Sequence, residues 1–191
     1  MTWEDAEYDG KKIFYLKSES SSRKTIALFH GYSFESGVWE KVGVVSSLNK
    51  IGYNVYAFDM PGFPKSRNKP LDLHTFFSYF ESFAKSFGKV SILGASAGGY
   101  LAAKFSEENP KLVENLILVG GVELEKIKIP SSIRIAGIWG SEDSISNPSA
   151  AKKMIESLGG KFFEIKGARH ACYLDKPDEF NLILTKFLEE N

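Results

Sequence analysis

The sequence predicts an α/β fold: a mostly parallel sheet with helices on both faces, preceded by an antiparallel hairpin. Three observations carry this. Short apolar runs alternate with segments of helical period along the chain. Asp9-Gly10, a strong hairpin turn signal, separates two alternating segments, Trp3–Tyr8 and Lys11–Lys17. No low-complexity tract, internal repeat or linker divides the 191 residues, so a single domain is expected over 1–191.

Taken in order, Thr25–Phe29 is a compact apolar strand ending at His30-Gly31. Val38–Lys50 has helical spacing, with Trp39, Val42, Val45 and Leu48 able to share a face before Gly52. Asn54–Phe58 is the next strand, followed by the sharp turn Asp59-Met60-Pro61-Gly62. Leu71–Phe87 reads as a long aromatic-rich helix capped by Gly88. Val90–Leu93 is a strand and Ala97–Glu108 a helix. Asn115–Val119 and Ile133–Trp139 are strands, and Ala150–Leu158 is a helix. Lys161–Ile165 is the last strand and Pro177–Glu190 the last helix. A dinucleotide-binding fold has the same rhythm, so the motifs must decide.

Hydrophobic residues make up 43% and charged residues 25%, as in ordinary globular proteins. Lys plus Arg equals Asp plus Glu at 24 each, so no global field favours nucleic acid or an anionic membrane as partner. One cysteine, Cys172, excludes an intrachain disulfide framework and a cysteine-only zinc site, and no metal or cofactor is expected. The N-terminal Met1-Thr2-Trp3-Glu4-Asp5 is acidic and polar where a secretory signal would be basic and then apolar, and no apolar stretch is long enough to span a bilayer. A soluble cytoplasmic protein is expected; the oligomeric state is left open.

Gly94-Ala95-Ser96-Ala97-Gly98 matches G-x-S-x-G, with Gly99 following, and it lies between a predicted strand and a predicted helix. The chain must reverse there within about two residues, which forces the serine to positive φ and leaves room only for small neighbours. Ser96 would then project above the C-terminal edge of the sheet as a nucleophile. A phosphate-binding loop does not fit, because neither G-x-G-x-x-G nor G-x-x-x-x-G-K-[ST] is present.

A serine hydroxyl needs a base to take its proton. Of three histidines, His74 falls near a helix start and His30 directly precedes Gly31 in a loop-shaping position. His170 follows the last strand at the same sheet edge as Ser96 and is the predicted base. The orienting acid should follow a strand between serine and histidine. Gly140-Ser141-Glu142-Asp143 supplies it, and Asp143 is preferred over adjacent Glu142 because the G-x-x-D spacing resembles the acid turn of known serine hydrolases; the Glu142 side chain is expected to face solvent. Asp59 is read as fixing the Met60-Pro61-Gly62 turn, and Asp175 as a turn or capping residue before Pro177. The backbone N–H groups of Ala97 and Tyr32 are the predicted oxyanion donors, Tyr32 through the His30-Gly31-Tyr32-Ser33 loop.

With these motifs in place, the sequence resembles the α/β-hydrolase superfamily over essentially its whole length, and more narrowly the small lid-less hydrolases of the CCG1-interacting factor B type. The resembling segments are His30-Gly31 through Trp39, Gly52-Tyr53 to Phe63, and Gly167-Ala168-Arg169-His170-Ala171-Cys172-Tyr173-Leu174-Asp175-Lys176-Pro177. The resemblance implies the α/β-hydrolase fold without a lid domain, and it places Ser96, Asp143 and His170 on the family triad and Tyr32 and Ala97 on the oxyanion donors. It also implies hydrolysis of activated short acyl esters, with lysine deacetylation as a related activity. Phe63-Pro64-Lys65-Ser66 departs from the family's more glycine-rich loop.

Gly120–Ser132, between the strands that precede the acid, is too short for an independent cap, which predicts an open site for a small acyl ester. Phe34, Phe63 and Tyr173 are candidate substrate-binding residues around it. Cys172 reads as packing beside the histidine loop. The competing class is a catalytically silent module that keeps the fold for binding; a peptidase is a further possibility, and a dehalogenase would need an aspartate where Ser96 stands.

Overall fold

In a computed structural model that describes residues 2–61 and 72–190, Asp9 and Gly10 both take positive φ, 51° and 67°. That backbone twist matches the strands it joins, and Tyr8 faces Lys11 across the hairpin of β1 (Thr2–Tyr8) and β2 (Lys11–Ser18). The remaining strands are β3 (Lys24–Phe29), β4 (Tyr53–Phe58), β5 (Val90–Ala95), β6 (Val113–Val119), β7 (Arg134–Gly140) and β8 (Lys161–Ile165). All eight form one sheet in the order β1-β2-β4-β3-β5-β6-β7-β8. The first two pairings are antiparallel, β1 with β2 and β2 with β4, and the rest are parallel. This is the α/β-hydrolase architecture that the sequence predicts.

Strand order reverses at β3, whose neighbours are β4 on one side and β5 on the other. Open parallel sheets bind ligands at such a switch point, beyond the carboxyl ends of the strands. Register aligns those ends: Phe29 faces Gly94, Ala95 faces Val119, Val119 faces Ile138, and Gly140 faces Ile165. The loops after β3, β5, β6, β7 and β8 therefore meet at one edge.

The parallel strands are apolar at successive positions because both faces are covered. Ala27, Phe29, Ile92, Leu118 and Trp139 enter one core with α3 (Leu73–Phe87), α4 (Ala97–Glu108) and α5 (Pro148–Ser157). Ile26, Leu28, Leu93, Ile117 and Ile138 enter the other with α1 (Val38–Lys41), α2 (Val44–Lys50) and α7 (Pro177–Glu189). Phe29, Phe58, Phe80 and Phe105 lock the first core, with Phe80 5.0 Å from Phe29 and 4.6 Å from Phe105 in edge-to-face contacts. Such pairs add about 0.5–1.5 kcal/mol each beyond area burial, and Phe29 anchors the strand that ends at His30.

Several expected elements differ. The helix expected over Val38–Lys50 is two, because Gly43 takes φ 76° and interrupts the turn; the Asn181 side chain donates 2.8 Å to the Val42 carbonyl at the break. The long aromatic helix starts at Leu73, where Asp72 caps it by accepting from the Thr75 N–H at 2.8 Å; Leu71 lies outside the described residues. A short helix, α6 (Cys172–Asp175), which the sequence pattern did not mark, follows His170. The β6–β7 connection carries no helix or strand and is held down by buried Leu124 and Ile129. Among the described residues, no helix is long and apolar enough to cross a membrane.

Candidate active site

Ser96 sits between β5 and α4 with φ 52° and ψ −118°, a conformation unfavourable for any residue with a Cβ. Its neighbours make the turn possible. A Cβ on Gly94 would lie 2.3 Å from the Gly98 carbonyl oxygen, and one on Gly98 would lie 2.5 Å from the His30 carbonyl oxygen. These glycines let α4 start directly against the ends of β3 and β5. The Ser96 N–H donates 2.9 Å to the Val119 carbonyl, tying the strained residue to β6.

His170 lies beyond β8 on the loop leading to α6, and its ring rests over Gly120, where a Cβ would come within 3.2 Å of the ring atoms. Gly120 itself takes φ 52°. Behind the histidine, the Gly140 Cα faces the Ala168 and Arg169 carbonyls so closely that a Cβ would approach them to 2.2 and 2.3 Å. His170 Nε2 is 2.9 Å from Ser96 Oγ, and His170 Nδ1 is 2.9 Å from Asp143 Oδ2. The structure thus brings Ser96, His170 and Asp143 into one hydrogen-bonded chain.

Asp143 is buried and fully engaged. Its Oδ1 accepts the backbone N–H groups of Ile145 at 2.8 Å and Ser146 at 2.9 Å, leaving Oδ2 for the histidine. Hydrogen bonds to a charged group contribute about 1.5–3 kcal/mol each, so the turn holds the carboxylate in one orientation. An ionised carboxylate only accepts; His170 therefore carries its proton on Nδ1, and Nε2 is left to accept from the Ser96 hydroxyl. Glu142, one residue before, is exposed.

Beside the serine, the loop after β3 is organised by His30. Its Nδ1–H donates 2.8 Å to the Gly31 carbonyl, which also accepts the Phe34 N–H at 3.0 Å, and its Nε2 accepts the Met60 N–H at 2.9 Å. Burial lowers the His30 pKa below its ordinary value, and the neutral ring is the form these contacts require. Because the Gly31 carbonyl is held on one side of a trans peptide, the Tyr32 N–H points to the other. Linkage sets the sign: above about pH 6.5 this stabilisation is fully present, and it is lost as pH falls toward the lowered folded pKa, where the unfolded chain binds a proton that the folded chain refuses. In His30→Gln the slope of unfolding free energy between about pH 6.5 and 5 should be shallower by up to about 1.4 kcal/mol per pH unit. Urea melts with an unchanged slope would contradict this role.

Two acidic residues act elsewhere than expected. Asp59 reaches back across the sheet edge: its buried Oδ1 accepts the Ser36 backbone N–H at 3.0 Å and the Ser36 hydroxyl at 2.5 Å, clamping the far end of the His30–Ser36 loop, whereas Gly62 of the expected turn lies outside the described residues. Asp175 does not cap α7. It accepts the Arg169 N–H at 2.8 Å and pairs with its guanidinium at 2.9 Å, bracing the residue before the histidine. The sequence also gave no hint of Ser146, whose hydroxyl donates 2.7 Å to the Gly121 carbonyl and accepts 3.1 Å from Trp139 Nε1, joining the acid turn to the loop after β6.

A cleft of about 210 Å³ lies over Ser96 and His170, lined also by Gly31, Tyr32, Phe34 and Tyr173. Phe34 is half-buried, whereas Tyr173 is 2% exposed and packs against Trp39. Phe63 lies outside the described residues. His74 is on the surface, and burial pushes the Cys172 thiol up to about 12, in keeping with packing. Among the described residues, no group of three or more His, Cys, Asp or Glu is placed to hold a metal ion.

Known proteins agree with this architecture. The family model described as "Serine aminopeptidase, S33" matches residues 20–136. A crystal structure described as a predicted CIB-like hydrolase from Thermoplasma acidophilum superposes with a TM-score of 0.85 at 31% identity, covering 98% of this chain and 97% of that one. "Putative protein-lysine deacylase ABHD14B" of Rattus norvegicus is 25% identical across 95% of this chain and 92% of its own length. "Protein ABHD14A" of Danio rerio is 28% identical across 88% of this chain, which spans 65% of that protein's length. With the family model spanning more than half of its length and the sheet order described above, the chain belongs to the serine aminopeptidase S33 family of α/β-hydrolases, is a hydrolase, and resembles the CIB-like hydrolases.

Proposed function

We propose that the chain is a serine hydrolase that cleaves small carboxylic esters through an acyl-enzyme, with Ser96 as nucleophile, His170 as general base and acid, and Asp143 orienting the histidine. The observation that carries this reading is the linear array of 2.9 Å contacts from Ser96 Oγ through His170 to Asp143. A strained serine with a base already on its hydroxyl has no use in a silent binding module, because its conformation costs stability.

In the first half-reaction Ser96 Oγ bonds to the acyl carbon while its proton passes to His170 Nε2. The carbonyl π pair moves to oxygen, and the oxyanion sits between the Ala97 and Tyr32 N–H groups. Ala97 is the first residue of α4, so its N–H has no intrahelical acceptor and lies at the positive end of the helix. Collapse of the intermediate breaks the carbon–alkoxide bond, and His170 gives its proton to the leaving oxygen. Water then repeats the sequence with His170 as base, releasing the acid and free Ser96. Asp143 remains ionised and stabilises the imidazolium in both halves.

The open cleft and the absence of a helix in the β6–β7 connection favour small or externally presented acyl groups. An acyl-lysine side chain is a second substrate reading, favoured by similarity to the rat relative named as a protein-lysine deacylase. Purified protein should hydrolyse nitrophenyl butyrate with kcat/KM at least about 10³ M⁻¹s⁻¹, short of the common enzyme range, and a chelator should leave the rate unchanged. Turnover of an acetyl-lysine peptide with no hydrolysis of any nitrophenyl ester would replace the first reading by the second.

A further inference from the structure

Two clefts open side by side at the sheet edge, and among the described residues they share only Gly31 and Tyr32. One contains Ser96 and His170, together with Phe34, Ile145 and Tyr173. The other, of about 290 Å³, passes over Ala97 and Gly98 and is walled by Met60, Leu73, Tyr100, Leu101 and Val122. The shared residues hold one of the proposed oxyanion donors, so a tetrahedral centre on Ser96 would stand at the junction.

Its substituents then have no freedom to exchange places. The oxyanion is fixed between the two N–H groups. The leaving oxygen must come within hydrogen-bond reach of His170 Nε2 to be protonated, which sends the leaving group into the cleft containing His170. The acyl chain diverges from it at the tetrahedral carbon and runs over Ala97 into the second cleft. The lining there is suited to hydrocarbon. Leu101 lies four residues after Ala97 on α4, so it stands one turn further along the same helix face.

We infer that the cleft over Ala97 and Gly98 is the acyl subsite, that the cleft of Phe34, Ile145 and Tyr173 takes the leaving group, and that Leu101 determines acyl length. This rests on the acyl-enzyme reading above. Phe34 and Tyr173, read from the sequence as candidate substrate-binding residues, thereby fall on the alcohol side.

Two ester series on the full chain separate the subsites: nitrophenyl esters from acetate to decanoate, and butyrates of phenol and 2-naphthol. Leu101→Trp, which fills the acyl cleft, should lower the butyrate-to-acetate ratio of kcat/KM by about tenfold or more while the naphthyl-to-phenyl ratio stays within about twofold. Ile145→Trp, at a position 67% exposed, should lower the naphthyl-to-phenyl ratio and leave the acyl profile in place. Should Leu101→Trp not fold, Leu101→Ala carries the test by raising the octanoate-to-acetate ratio, each newly buried methylene giving about fourfold. The opposite pattern, or ratios unmoved by any of these changes, would overturn the assignment. Failure of the underlying reading looks different: the unaltered protein would turn over no ester and take up no fluorophosphonate, and both proposals would fall together.

Discussion

Ser96→Ala is expected to lower kcat on nitrophenyl butyrate by about a millionfold, as loss of the nucleophile does in a serine hydrolase whose triad acts as a unit. The residual rate over water should reflect the oxyanion donors and binding. The fold should survive. Alanine has the same Cβ at φ 52°, so the backbone strain is unchanged, and the Val119 carbonyl still receives the residue 96 N–H. What is lost is the hydroxyl against His170 Nε2, worth about 0.5–1.5 kcal/mol. Steady-state kinetics with a thermal melt separates the two effects. Ser33 lines the same cleft and is the natural competitor; a Ser96→Ala protein retaining more than a few per cent of its activity would point there.

The second large effect belongs to Asp143→Asn, expected to lower kcat by about 10⁴ through the wrong histidine tautomer. The acid turn dictates how the amide would sit. Two backbone N–H groups, from Ile145 and Ser146, face the Oδ1 position, so the amide oxygen stays there and its NH₂ faces His170 Nδ1. Nδ1 must then accept, the ring proton moves to Nε2, and Nε2 can no longer take the proton of Ser96. Glu142→Gln should change kcat by less than about twofold, since that side chain is exposed and surface substitutions away from such features have small effects. Comparable losses in the two variants would mean that Asp143 does not orient the base.

How much of this was legible in the sequence depended on whether the signal was local. The elbow was legible because its requirement is steric and compact: Gly94, Ala95, Ala97 and Gly98 are the small residues that a reversal at Ser96 needs, and the contacts of 2.3 and 2.5 Å that a Cβ would make at 94 and 98 show the reason. Placing His170 and an acid beside it needed only strand order and the rule that parallel strands end at one edge; the choice of Asp143 over Glu142 rested on the resemblance of the G-x-x-D spacing to a known acid turn. The departures turn on contacts that the residue pattern alone does not display. Val38–Lys50 keeps its apolar period through Gly43, and that period masked the glycine whose positive φ splits the segment. Asp59 resembled a turn residue because its turn is adjacent, yet its partner Ser36 lies across the sheet edge on another loop. Asp175 stands two residues before Pro177, a place that invites a capping role, and was taken by Arg169 instead. Two clefts meeting at Tyr32 belong to the folded surface and have no signature in the chain.

Peptide mapping after reaction with a fluorophosphonate tests the central claim most directly. The array of Ser96, His170 and Asp143 predicts one adduct per chain, on the peptide containing Ser96 and on that side chain. Labelling should disappear in Ser96→Ala and be greatly slowed in His170→Gln. An adduct on Ser33 or Ser141, or a protein that hydrolyses esters while Ser96 stays unmodified, would contradict the account.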